Sequence, residues 1–233
     1  PWGVPSTIYP RLAAAGVPAP ALLAEPDEHT RIEEFVEGSA GDLARMPAER
    51  TLLRAGISTA RWHRKVRPDG LAPSNRRDLV ERARLSATTT SRFRPELQPV
   101  LEVRLDAAER ADVGPDPEVA LHGDLHPGQW IDTAHGVVFI DFDRVSRGEA
   151  AEDVANLIVH LLGSAGGDAH RGIEAFRRGY EREWRWPSSG RLAWHFAAAQ
   201  LRLLELAVRR PGAVPETWVD AILSVEALPE VAR

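Results

Sequence analysis

The chain has 233 residues, a formal net charge of −5, 43% hydrophobic residues and no cysteine. This length suits one large or two small domains with a sizeable core. The lack of cysteine excludes disulfides, thiolate-bound zinc and thiol catalysis and fits a cytoplasmic protein. No apolar run nears the ~20 residues of a membrane span, no signal peptide is visible, and scattered arginines on a mildly acidic chain argue against a nucleic-acid surface.

In chain order, residues 12–20 read as a helix end and a Pro-bounded turn, followed by two β-favouring runs up to about residue 38. From Gly41 the apolar residues Leu43, Met46, Leu52, Leu53, Ile57 and Trp62 recur at helical spacing, which predicts a helix through about Val66. Residues 67–73, with two prolines and a glycine, break it. Ser74 or Asn75 is placed to cap a next helix running towards Arg92, and another begins after Pro95 and runs to about Val113. Glu118-Val119-Ala120-Leu121 is a short β run. Trp130-Ile131-Asp132 and Val137-Val138-Phe139-Ile140 are two more, joined by the turn Thr133-Ala134-His135-Gly136 as a hairpin. Four helical stretches follow, at about 150–163, 168–184, 188–210 and 215–228. The third is apolar nearly all round and reads as buried. The glycines of Gly163-Ser164-Ala165-Gly166-Gly167 read as a plain connection, and the chain shows neither an internal repeat nor a low-complexity tract.

Chemistry concentrates in Leu121-His122-Gly123-Asp124-Leu125-His126-Pro127-Gly128-Gln129 and the later Asp141-Phe142-Asp143. The hairpin makes Gln129 and Asp141 neighbours. A lone carboxylate, a histidine, an amide and a second carboxylate then share one strand–loop–hairpin unit. Phosphoryl transfer needs such a set: a base for a hydroxyl and oxygen ligands for magnesium. A turn-capping role is the alternative for Asp124 taken alone. Asp141 follows four apolar residues, where a carboxylate is costly unless it is paired or bound to metal.

These residues resemble the catalytic segment of the aminoglycoside phosphotransferase and choline kinase superfamily, small-molecule relatives of the protein kinases. The likeness is close from His122 to Asp143. It continues into Gly148-Glu149-Ala150-Ala151-Glu152-Asp153-Val154-Ala155, and is weaker at Leu12-Ala13-Ala14-Ala15-Gly16-Val17-Pro18 and at Arg31-Ile32-Glu33-Glu34-Phe35-Val36-Glu37-Gly38. The resemblance implies an α+β, protein-kinase-like fold. Residues 1–38 would be a remnant of the N-terminal lobe and hinge, with that β lobe largely absent from this chain, and 39–233 a mostly helical C-terminal lobe carrying the catalytic hairpin. It implies an ATP- and Mg²⁺-dependent kinase for a hydroxyl of a small polar acceptor: an amino sugar, a sugar or an aminoglycoside. Asp124 would be the catalytic base and His126 a neighbour of the γ-phosphate. Gln129 and Asp141 would hold Mg²⁺, with Asp143 either a second ligand or a turn cap. Glu34 and Val36 would offer backbone groups to adenine, and His122 and Asp153 would support the loop.

Two departures qualify the resemblance. The family usually has asparagine where this chain has Gln129. The longer amide keeps the same hard oxygen, and its presence in maltokinase-like sugar kinases points weakly to that branch. The phosphate-gripping lysine of the small lobe has no counterpart, since Lys65 is the only lysine and lies in a helical segment beyond the hinge. A catalytically silent kinase-like binding protein is therefore one rival, and a metal-dependent hydrolase built on His122, Asp124, His126 and Asp141 a weaker one. His195, Arg202, Glu205 and Arg209 share one face of the third late helix, as a solvated stripe or as a polar lining of the acceptor pocket. Trp184 and Trp186 either stack on a sugar or pack. His63 reads as a packing residue. The mild acidity of the chain would suit a cationic acceptor.

Overall fold

The structure, a computed structural model, describes residues 6–27, 30–43, 45–74, 76–110, 116–164, 168–210, 216–225 and 228–232. It is a mixed α/β fold, mostly helical with few, short strands. The helix α1 (Ile8–Ala15) precedes an antiparallel pair, β1 (Leu22–Asp27) and β2 (Thr30–Glu33). A two-residue strand, β3 (Ser39–Ala40), leads to α2 (Glu49–Lys65), α3 (Arg76–Phe93) and α4 (Gln98–Arg110). The strands that follow are β4 (Glu118–Leu121), β5 (Trp130–Thr133), β6 (Gly136–Phe139) and β7 (Ser146–Glu149). Four helices close the described chain: α5 (Ala150–Gly163), α6 (Ala169–Tyr180), α7 (Ser189–Arg209) and α8 (Glu216–Ser224).

The expected hairpin is present, with Trp130 opposite Phe139 and Thr133 opposite Gly136. Its outer neighbour is β3, which pairs with β5. That pairing corrects the expected helix start at Gly41. The Gly41 N–H donates to the Trp130 carbonyl (3.1 Å), and the chain stays irregular until α2 begins at Glu49, just past Pro47. Leu43 and Met46 pack on the core from this segment, so their spacing reflects burial rather than helical period. The strand β7 is a second departure. Ser146-Arg147-Gly148-Glu149 has little β character, yet it pairs with β4 along its whole length. The late helices α6 and α8 are shorter than expected, and the tail of the expected helix to Val113 and the glycines at 166 and 167 lie outside the described residues.

Two glycines decide how closely the helices meet. A Cβ on Gly56 of α2 would lie 2.1 Å from the Phe176 carbonyl oxygen. One on Gly179 of α6 would lie 2.0 Å from that of Leu53. The two backbones touch there because neither residue has a side chain. The buried helix α7 packs on α3, α4 and α5. Its apolar residues Leu192, Trp194, Phe196, Leu201, Leu203 and Leu204 are all buried. Buried Arg104 of α4 donates to the carbonyls of Ile222, Leu223 and Val225 (each 3.2 Å). A cation thereby satisfies the acceptors at the end of α8.

Candidate active site

The loop after β4 is held from below by Asp153 of α5, which is 1% exposed. Its Oδ2 accepts from the His122 backbone N–H (2.8 Å) and its Oδ1 from that of Gly123 (2.9 Å). A third donor comes from α2, where His63 Nε2 lies 3.1 Å from Oδ2. With Nε2 donating, His63 Nδ1 accepts the Tyr180 hydroxyl proton (2.8 Å). Burial, reinforced by Asp153, pushes the Tyr180 hydroxyl well above its ordinary pKa and keeps it a donor. A buried carboxylate with this many partners is affordable. His63 thus does more than pack, and the Arg-Trp-His sequence carried no sign of its partners 90 and 117 residues away. The His122 side chain donates from Nε2 to the Ile140 carbonyl (3.1 Å), tying the loop to the hairpin exit.

Gly123 adopts φ +80°, and a Cβ there would lie 2.1 Å from the Arg144 carbonyl oxygen. The left-handed turn and the close passage of the 141–144 segment both require glycine. Asp124 then presents its carboxylate to a cleft of ≈ 360 Å³, lined also by His126, Arg144, His160, Arg202, Glu205 and Arg209. Arg202 Nη1 stands 3.6 Å from Oδ1, and Arg144 Nε stands 3.8 Å from Oδ2. His126 Nε2 is 4.0 Å away, and His126 Nδ1 accepts from the Gly128 N–H (3.1 Å). Burial pulls the His126 pKa down from 6.5 to about 4, against the attraction of Asp124. Its ring stacks on that of buried His160, 4.6 Å between centroids, and burial likewise holds His160 well below its ordinary value.

At the other side of the unit, Gln129 Nε2 lies 2.9 Å from Asp141 Oδ2. Asp141 is exposed and adopts φ +61°, the only left-handed non-glycine residue among those described. Aspartate tolerates that conformation better than most residues, at a cost of ~1 kcal/mol or more. Here it turns the carboxylate out of the strand end beside the amide. The pair fits a hard divalent cation, since magnesium usually takes one or two carboxylates together with substrate phosphates. Among the described residues no three His, Cys, Asp or Glu side chains form a ready-made metal cage, which gives the hydrolase alternative no metal cluster to work with.

Asp143 has a partner of its own. One oxygen of its carboxylate is bound by Arg31 of β2 at 2.7 Å, a partner that neither the second-ligand nor the turn-cap reading anticipates. The same contact brings the 31–36 segment beside the hairpin. The Glu34 N–H donates to the Ala21 carbonyl (2.8 Å), and Val36 is half-buried. On α7 the expected stripe divides. His195 and Arg191 bind Glu149 of β7, at 3.0 and 2.6 Å. Arg202 and Glu205 reach the Asp124 cleft, where Glu205 accepts from the Ser86 hydroxyl (2.6 Å) and from Arg209 (3.1 Å). A simple solvated face is therefore not what α7 presents. Trp186 donates its ring N–H to the Ala232 carbonyl (2.9 Å), and both Trp184 and Trp186 pack on Tyr180, a structural use. Sequence reasoning missed Arg144, Asn156 and His160. The adjacency of Arg144 to Asp141-Phe142-Asp143 was the one available signal.

A family model described as a phosphotransferase enzyme family (APH) matches residues 7–209. No curated protein matches the chain. Solved structures of similar fold include an AMP-bound spectinomycin phosphotransferase, 16% identical, covering 94% of this chain and 83% of its own, with a TM-score of 0.68. A glucosamine kinase is 20% identical over 94% of this chain and 69% of its own, with a TM-score of 0.67. An aminoglycoside-3'-phosphotransferase of type VIII is 22% identical over 83% of this chain and 77% of its own, with a TM-score of 0.59. At these identities the likeness establishes the fold. None of the three lends support to the maltokinase-like branch suggested by Gln129.

Proposed function

The chain belongs to the APH phosphotransferase enzyme family, the small-molecule kinases, and from that premise we propose that it transfers the γ-phosphoryl group of ATP to a hydroxyl of a small polar acceptor at Asp124. The observation that carries this reading is the joint placement of an Asp153-anchored loop presenting Asp124 and a hairpin edge presenting Gln129 and Asp141. Asp124 accepts no hydrogen bond among the described residues, its three charged or imidazole neighbours standing at 3.6–4.0 Å. Its oxygens are thus open to an acceptor hydroxyl. Asp124 orients that hydroxyl and takes its proton as the oxygen bonds to phosphorus. Gln129, through its amide oxygen, and Asp141 would hold the magnesium ion. When bound, magnesium nucleotide supplies the phosphoryl group and neutralises the charge on its oxygens. His126, its pKa drawn down to about 4, is neutral near pH 7 and borders the phosphate side without adding charge.

The Glu34 N–H is already used, so the Glu34 carbonyl and the Val36 N–H are the groups we assign to adenine. In this reading the segment up to residue 38 belongs to the small lobe and hinge, and the chain from residue 39 on to the lobe that positions the acceptor. Lys65 takes no part, being exposed at the end of α2 beside Arg67 and Asp69.

The test is Asp124→Asn, with ATP consumption followed in the presence of an acceptor panel. Nucleotide binding is expected to survive while turnover falls by ~10³-fold. Unchanged turnover would remove Asp124 as the base. Nucleotide binding with no turnover for any acceptor in the unmodified protein would instead favour the silent, kinase-like binding protein.

A further inference from the structure

We infer that the acceptor carries an anionic group, a carboxylate or a phosphate, a few bonds from its reacting hydroxyl, and that Arg202 and Arg144 hold it. The inference rests on the reading of Asp124 as the base and narrows its acceptor to a charge class. The formal net charge of −5 would by itself suit a cationic acceptor. The walls around Asp124 have the opposite balance.

Two guanidinium groups flank the Asp124 carboxylate, Arg202 at Oδ1 and Arg144 at Oδ2. Both sit beyond hydrogen-bond distance, at 3.6 and 3.8 Å. Neither therefore spends its donors on the base. Among the described residues Arg144 makes no other polar side-chain contact. The other carboxylates of the cleft and of the adjoining recess, which shares Arg144 and Arg202, have hydrogen-bond partners of their own. Glu205 is bound by Ser86 and Arg209. Glu152 takes the Ser74 hydroxyl (2.7 Å). Asp153 is used by the loop backbone and His63. Immediately around Asp124, two guanidinium groups thus face one carboxylate.

Arg202 is also held in place. Its Nη2 donates to Asn156 Oδ1, and Asn156 Nδ2 donates to the Leu125 carbonyl (2.9 Å) in the catalytic loop. The guanidinium is therefore positioned relative to the residue after the base itself. A fixed planar fork with unused N–H groups matches the paired oxygens of a carboxylate or phosphate. Fixing it in advance lowers the cost of binding. An ammonium group in the same place would meet like charge. During transfer the acceptor O–H bond breaks and its proton passes to Asp124. The oxygen–phosphorus bond forms and the bond to the nucleoside diphosphate breaks. The anionic group takes no part in these exchanges beyond orienting the hydroxyl.

The activity test compares matched acceptors that differ in charge alone: a short hydroxy acid, its neutral amide and the corresponding amino alcohol, with a hydroxyalkyl phosphate as a second anion. The anionic members are expected to exceed the amide by ~100-fold in kcat/KM, with the amino alcohol lowest. Arg202→Gln is expected to raise KM for the anionic acceptors by ~100-fold, to change KM for the amide by at least ~10-fold less than that, and to be partly rescued by Arg202→Lys. Preference for the amino alcohol or an aminoglycoside would overturn the inference while leaving the proposed function standing. A loss of kcat equal for charged and neutral acceptors would overturn it too. Absence of turnover with every acceptor would count against the proposed function instead. Binding then decides the inference, by titrating inorganic phosphate and glycolate into the protein. Saturable binding of either probe, weakened at least ~10-fold in Arg202→Gln and in the exposed variant Arg144→Gln, supports it and shows which anion is preferred. No binding, or binding indifferent to both variants, overturns it.

Discussion

The loop that presents Asp124 and the α7 wall that faces it are built in opposite ways. The loop is held through its backbone by a carboxylate that is 1% exposed, with His63 and Tyr180 behind it. The wall is made of long side chains, of which Arg202, at partial exposure, approaches Asp124 at ion-pair rather than hydrogen-bond distance (3.6 Å). In the proposed function the backbone-held part carries the step that every acceptor shares. The wall in that reading carries whatever distinguishes one acceptor from another, because a side chain on a helix face can be exchanged by mutation without moving the backbone that holds the base. Damage to the loop is therefore expected to appear as lost folding or turnover, and damage to the wall as altered acceptor choice.

The largest test of this contrast is Asp153→Ala. It leaves two buried backbone N–H groups and His63 without their acceptor, which should cost ~3–5 kcal/mol in urea unfolding. A loss below ~1 kcal/mol would mean that the loop holds itself and that the contrast with α7 is false. Gly123→Ala comes next. The new methyl group meets the Arg144 carbonyl oxygen in a left-handed turn, so a loss of about 2 kcal/mol or more is expected, together with reduced turnover. Equal stability of variant and parent would show that the 141–144 segment yields freely.

Acid should expose the stacked pair beneath the cleft. In the unfolded chain His126 titrates near 6.5, whereas in the fold it titrates near about 4. As pH falls through that window the unfolded state binds a proton that the folded state refuses. Stability is thus full above about pH 6.5 and declines towards pH 4, by about 3 kcal/mol at most from this group. His160 is shifted in the same direction and adds to the slope. Thermal midpoints from pH 7 to 4 should show the decline, and His160→Met should flatten it. An acid limb of the same steepness in that variant would dissociate the effect from the stack. The smallest expected change is Gln129→Asn. The amide oxygen is kept one methylene back, so turnover should stay within ~10-fold and magnesium dependence should persist. Loss of that dependence would show that the length of Gln129, not its chemistry, sets the site.

The hairpin, its register and the helices from α5 to α7 were legible in the sequence because each is encoded by neighbours. Alternation around Thr133-Ala134-His135-Gly136 and helical period over 150–163 need no distant partner. The strand β7 was not legible, because Ser146-Arg147-Gly148-Glu149 becomes a strand only by pairing with β4. The same holds for the irregular run before α2, whose apolar residues imitate a helix while one of its glycines bonds to the hairpin. Within the site, the residue types that do chemistry could be read from His122 to Asp143, together with the family they resemble.

The sequence by itself placed a candidate base and a metal-suited pair on one local unit, since a hairpin brings residues 12 apart into contact wherever its turn forms. Only the tertiary structure decided that Asp143 belongs to Arg31, that His63 belongs to Asp153, and that a chain of net negative charge surrounds its candidate base with arginines. Most of those outcomes depend on side chains that meet across 90 or 112 residues of sequence. No local pattern records such meetings, because the energy that selects them is the burial and pairing of groups the folded chain brings together.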